Sequence, residues 1–391
     1  MMMLAAAAML AACEESGKGD GGSVSVNDLV ISFDKSVIMN NSSDVVTFRA
    51  FYKGEEVSDS GASFFQIVGS NYNQIDRRFS TSVAGEYSFQ VAYGALYSDV
   101  IKITAIDREI PALPNDHQSS NLSFVHRTFF NQHTGAQCPN CPFMTYLLKQ
   151  TLTDGYEDKV VLASLRNYGG ENGFANVPNP ASSWPYLHVD YTENVQYNSS
   201  PKTLQAKIDA IVAEPAKVGI SASPKYYEDG QVIVKVAVKA AEAGEYNVGL
   251  WLMQDNYKKT QTVDMSRVSL LGPAGFDDSY HYHDNCVRVA ESKYLGAHVG
   301  YSLGKMQKGE TKEWVFLVNV NLGSKKDLNG DGKLDHNDGS WWEGKSKVNL
   351  ADLRFAAFVT TPTSTSRGQI YKVVNAVQFP YDQPLEFDYI R

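Results

Sequence analysis

The chain has 391 residues, longer than one ordinary domain of about 150, so two or three units are expected. With 43% hydrophobic and 12% aromatic residues, general disorder is excluded, because that much apolar side chain offsets the entropy of ordering. A formal charge of −9, from 35 basic and 44 acidic residues with no Lys/Arg stripe, excludes a general nucleic-acid binder.

Residues 4–12 form an apolar run rich in Ala, too short to span a bilayer but suited to the core of a secretory signal. Leu10-Ala11-Ala12-Cys13 reads as a bacterial lipobox, so residues 1–12 are expected to be a signal peptide and Cys13 the lipidated first residue. Residues 13–25, rich in Gly, read as a flexible tether. No stretch of the chain reaches 18 consecutive apolar residues. The expectation is an outer-membrane lipoprotein, its membrane face open. Of the remaining cysteines, Cys138 and Cys141 form a C-x-x-C pair, and Cys286 reads as a buried small hydrophobe.

From 26 to 106 the chain reads as short strands between turn clusters, among them Leu29–Phe33, Val45–Phe51 and Tyr87–Tyr93. Tyr87 lies two residues before apolar Phe89, as in the tyrosine corner of immunoglobulin-like sandwiches. This segment is expected to be an Ig-like β-sandwich without catalytic residues. Residues 107–121, with Pro111, Pro114 and a polar run, read as a linker.

From 122 to 216 the pattern changes. A strand candidate at Phe124–Phe130 leads into Cys138-Pro139-Asn140-Cys141-Pro142, and Phe143, Met144, Leu147 and Leu148 follow at helical spacing. Val160–Leu165 reads as a strand buried on both faces; Pro185 precedes an alternating strand, and Ser200 caps a helix with Pro201 at its first position. This order predicts a thioredoxin-like α/β domain. At a helix N-terminus the dipole lowers a thiol pKa, so Cys138 would attack a disulfide and Cys141 resolve the mixed species. Pro185, if cis, would present a backbone edge beside the pair, with Pro201 the rival for that role. A second reading makes the pair a permanent staple: Gln137 stands where active thioredoxins carry Trp, and no buried acid is evident as proton acceptor. One C-x-x-C supplies two ligands where structural zinc needs four.

From 217 to 391 strands dominate again, including Gln231–Lys239, Tyr246–Met253 and Leu353–Val359, so a larger β-sandwich is expected. Within it, Asp327, Asn329, Asp331, Asp335 and Asp338 fall at calcium-loop positions 1, 3, 5, 9 and 12, with Gly332 at the tight turn and the Lys333 carbonyl at position 7. A structural calcium site is expected there, and no organic cofactor. His281 and His283 alternate, which on a strand places both on one face; two ligands without a third read more readily as hydrogen-bonded strand residues than as a metal pair.

With these residues in view, the chain resembles the twenty-eight-kilodalton outer-membrane-protein family of bacterial lipoproteins over residues 122–391. The resemblance rests on Thr134-Gly135 with the C-x-x-C segment, on the Pro201–Ile220 helix-to-strand passage, and on Tyr282-His283-Asp284-Asn285-Cys286-Val287-Arg288. It implies a thioredoxin-like domain fused to a β-sandwich on the outer membrane, and it fixes no reaction, since surface-adhesion roles are also proposed for relatives. The calcium loop is an insertion relative to that pattern. The expected fold class is therefore multidomain α+β: N-terminal Ig-like sandwich, central thioredoxin-like α/β domain, C-terminal sandwich. Thiol–disulfide exchange on envelope proteins and cell-surface binding with a structural disulfide are the two functions carried forward. A protein or peptide partner stays unnamed, and a homodimer is left open.

Overall fold

The computed structural model describes residues 29–58, 61–168, 177–178, 183–294, 297–320, 349–365 and 368–390. Cys13, the signal and tether segments, and the 327–338 calcium-loop residues lie outside the described residues.

Alternation builds the first part of the chain. In Leu29–Phe33 the burial pattern turns Leu29, Ile31 and Phe33 inward, as period-two strands require. That strand pairs with Val46–Tyr52 in one sheet; Val37–Met39, Ile101–Ile106, Gly85–Tyr93, Ala62–Val68 and Asn71–Ile75 make a second. Phe48 from the first meets Phe89 from the second at a ring separation of 4.7 Å. The Tyr87 hydroxyl donates to the Val83 carbonyl at 2.8 Å, tying the strand to the bend before it. This core does not stop at the end of the segment: Phe33 packs against Tyr301 and Trp314, each at 6.0 Å.

The segment read as a linker is pinned rather than free. The Arg108 guanidinium holds the Asp229 carboxylate through two bonds, of 2.8 and 2.6 Å. Lys239, 3% exposed, donates to Asp116, the Ser119 carbonyl and the Tyr389 hydroxyl, so a buried ammonium is fully partnered at the linker's far end.

The chain does not adopt the expected α+β class with a central thioredoxin-like α/β domain. It is mostly β, 49% strand against 13% helix, in a sandwich-type arrangement. Among the described residues, α-helix is confined to α1 (Cys141–Thr151) and α2 (Pro201–Val212). The reason lies in Val160–Leu165, apolar toward both faces and free to pair on both edges. It pairs in parallel with Thr128–His133 and, through Ser164 opposite Cys286, with Cys286–Glu291. From there the sheet runs on through Gly244–Gln254, Leu353–Thr365 and Gly368–Pro380, so nine strands form one sheet across the boundary expected near residue 216.

Gly244–Gln254 sits at the middle of that sheet and is buried on both faces over most of its length. Val248, Leu250 and Leu252 face a three-stranded sheet of Val218–Tyr226, Gln231–Ala240 and Thr311–Asn319. Trp251 and Met253 face the opposite way, into a core with Phe129, Val161 and Phe358. Space there is tight: a Cβ on Gly249 would stand 2.4 Å from the Phe358 ring. The third layer, α1 with α2, covers the outer face of Thr128–His133 through Met144, Leu147, Leu204 and Ile208.

Candidate functional site

Cys138 and Cys141 are joined in a disulfide, with an S–S distance of 2.09 Å and Cα atoms 5.4 Å apart. The helix begins at Cys141, with Asn140 as the N-cap residue lacking a side-chain cap, so Cys138 precedes it in a turn instead of occupying the first helical turn. In that turn the Cys138 N–H donates to the Gly135 carbonyl at 3.1 Å, and the Cys141 N–H donates to the Cys138 carbonyl at 3.3 Å. Both cysteines are 1% exposed. Cys138 therefore does not occupy the helix N-terminus expected from the sequence, where it would attack a disulfide.

Bonded to the turn that bears the pair is a strap, residues 259–283, that no sequence signal marked. Gln261, 6% exposed, lies across the turn; its Nε2 donates to the Cys138 carbonyl at 3.0 Å, to the Gly135 carbonyl at 3.3 Å and to its neighbour Thr262 at 2.9 Å. The Thr262 and Asp264 N–H groups donate to the carbonyls of Ala136 and Pro139, at 2.7 and 2.8 Å. The strap continues as a 3-10 segment, Met265–Leu271, whose Leu271 packs with Phe143 of α1 and Tyr280. A polar stretch such as Lys259-Thr260-Gln261-Thr262 reads as solvated loop, because its anchoring lies in backbone carbonyls far along the chain.

His281 and His283 secure the base of that strap. His281 ends a 3-10 turn, and its Nδ1 accepts the Gln261 N–H at 2.9 Å. His283 stands in the short strand Tyr282–His283 and donates from Nε2 to the Lys259 carbonyl at 3.0 Å. Burial, reinforced by the nearby Arg166 charge, lowers the His283 pKa to about 3, so it is neutral and fit for that donor role. The two rings thus serve the strap's backbone. Among the described residues no group of three or more His, Cys, Asp or Glu side chains converges.

Between α1, the strap and the outer face of the sheet lies a cavity of about 290 Å³. Its floor is Gln132 and Ser164, linked by a hydrogen bond of 3.1 Å, and Thr145 and Lys149 of α1 form one wall. Gln261 closes it on the disulfide side, and Tyr282, 47% exposed, stands opposite the helix. The Trp184–Pro185 bond is cis, whereas Pro201 starts α2 behind Ser200, whose hydroxyl accepts the Thr203 N–H at 3.1 Å. Cys286 lies outside any disulfide and is fully buried.

No family profile matches the chain, and no curated protein matches it. Among solved structures, HBP35 of Porphyromonas gingivalis is similar at 16% identity and a TM-score of 0.44, covering 66% of this chain and 76% of that one. A beta-glucosidase from Kluyveromyces marxianus aligns at 11% identity and a TM-score of 0.20, covering 88% of this chain and 45% of that one.

Proposed function

We propose that this chain is a β-rich binding protein of the bacterial envelope, held at the outer membrane by lipid on Cys13, in which Cys138–Cys141 is a structural staple. One observation carries the staple reading: both cysteines are 1% exposed, and the turn that bears them is bonded to the strap through Gln261. Thiol exchange needs an incoming thiolate in line with a disulfide sulfur, which this packing blocks unless the strap lifts. The disulfide then fixes the turn before α1 and gives the strap a rigid set of carbonyls to bind. The cavity beside it, lined by apolar Leu148, Leu152 and Leu162 as well as polar side chains and the exposed Tyr282, is where the binding reading places a ligand. The 327–338 loop adds calcium as a structural ion in this reading, on its oxygen spacing alone.

Stopped-flow reduction of the folded full chain by a small dithiol, followed by thiol appearance, tests the assignment. A staple reduces many-fold more slowly in the native protein than in denaturant. Native reduction as fast as in denaturant, or a mixed disulfide captured on Cys138 in a Cys141→Ser variant, would reject the staple and return thiol–disulfide exchange.

A further inference from the structure

On the face of the sheet away from α1 lies a polar group that the proposed function does not use. Asn131 and His188 stand opposite each other in the register between Thr128–His133 and Tyr186–Val189, and both are 0% exposed. His133 and Tyr191, each 1% exposed, flank them, with ring centroids 6.4 and 5.6 Å from His188. Both amide atoms of Asn131, both nitrogens of His188, Nε2 of His133 and the Tyr191 hydroxyl have no protein hydrogen-bond partner. Buried polar atoms are nearly always partnered, so six together on one face demand an occupant.

The protonation states say which kind. Trp184 Nε1 can only donate, and it does so to Asn167 Oδ1 at 3.0 Å. That fixes the amide, so Asn167 Nδ2 faces His133 Nδ1 at 3.0 Å and must be the donor there. Neutral His133 therefore carries its proton on Nε2, and presents an N–H to the group. Burial keeps His133 and His188 uncharged, His188 with its pKa lowered to about 4. His188 then offers one donor and one acceptor, Asn131 both kinds, and Tyr191 a hydroxyl. A metal ion is ill matched, since the His133 nitrogen facing the group bears a proton. An anion finds only neutral donors. A small neutral molecule that donates and accepts at once fits every group.

We propose that Asn131, His133, His188 and Tyr191 form an internal hydration site, in which ordered waters bridge the two strands. Each water makes about three hydrogen bonds in such sites, and the group offers that number of partners. This inference is independent of whether the disulfide is a staple.

A crystal structure of the full chain at high resolution tests it directly. Water density within hydrogen-bond distance of His133 Nε2, Asn131 and His188 is expected. Dry packing of these groups, or an anomalous peak from a bound metal, would overturn the proposal. In solution, water-oxygen relaxation dispersion of the native protein should show long-lived internal water, and the Asn131→Leu/His188→Leu variant should lose that component. The same variant should melt several degrees lower, because its apolar side chains strand the His133 N–H and the Tyr191 hydroxyl. A rise in melting temperature would mean the wild-type groups are dry and costly, and would refute the site. If the variant does not fold, the native crystal structure decides the question.

Discussion

Gln261→Ala tests whether the strap is what shields the disulfide. The side chain donates to three carbonyls, two of them in the turn that carries Cys138. Both of those carbonyls keep a backbone donor after truncation, Cys138 N–H for Gly135 and Cys141 N–H for Cys138, so the full cost of an orphaned acceptor does not arise. The loss is then that of one or two ordinary buried hydrogen bonds, about 2 kcal/mol in all. The Thr262 and Asp264 backbone bonds remain, so the strap should stay in place but open more often. If reduction proceeds through strap opening, about 2 kcal/mol raises the open population, and with it the reduction rate, roughly 30-fold. The assay is thiol appearance under dilute dithiol, with urea unfolding of the same protein to report global stability. Cys286 is a buried thiol outside any disulfide, so its slow labelling is subtracted with a Cys286→Ala background. An unchanged reduction rate, with global stability lowered as calculated, would show that the strap is not the gate and would remove the ground for the staple assignment.

Removing the staple in Cys138→Ser/Cys141→Ser frees a four-residue loop, which by loop-closure entropy destabilises the fold by about 2 kcal/mol, read as a lower urea midpoint with the m-value unchanged. Gly219→Ala would place a Cβ 2.3 Å from the Phe124 ring, an overpacking worth about 1–3 kcal/mol by thermal melting. Asp190 is buried with its pKa raised to about 7 by desolvation; a raised carboxyl gives stability that is complete below the unfolded value near 4 and lost as pH rises through 7. Asp190→Asn should flatten that decline between pH 4 and 7, and an unchanged pH slope would refute the assignment. Saturating calcium should raise the melting temperature of the full chain and chelator should lower it; no shift either way, or the same shift in Asp331→Ala, would reject the 327–338 site.

Much of the strand content is legible from residue order. The alternation in Leu29–Phe33 and the continuous apolar run at Val160–Leu165 translate directly into one-sided and two-sided burial. Ser200-Pro201 reads as a helix start because cap chemistry is local. What stays hidden is non-local. A two-sided strand does not say which partner takes its second edge, so the pairing of Val160–Leu165 with Cys286–Glu291, over 120 residues on, is invisible, and the central segment reads wrongly as an α/β domain. The same limit hides the strap, since nothing in Gln261 announces that it will lie over Cys138. His133 and His188 are unremarkable singly, and they become a site only when antiparallel pairing sets their strands side by side.

The continuity of the nine-stranded sheet bears on how this protein is divided for study or by proteases. Cutting near residue 216 would not release two modules. A fragment ending there would lack the neighbour of Val160–Leu165 and leave an apolar strand edge with open amide and carbonyl groups, the kind of surface that recruits other chains into aggregates. Fragments ending there should be insoluble when made alone, whereas the two pieces produced together should recombine along that edge.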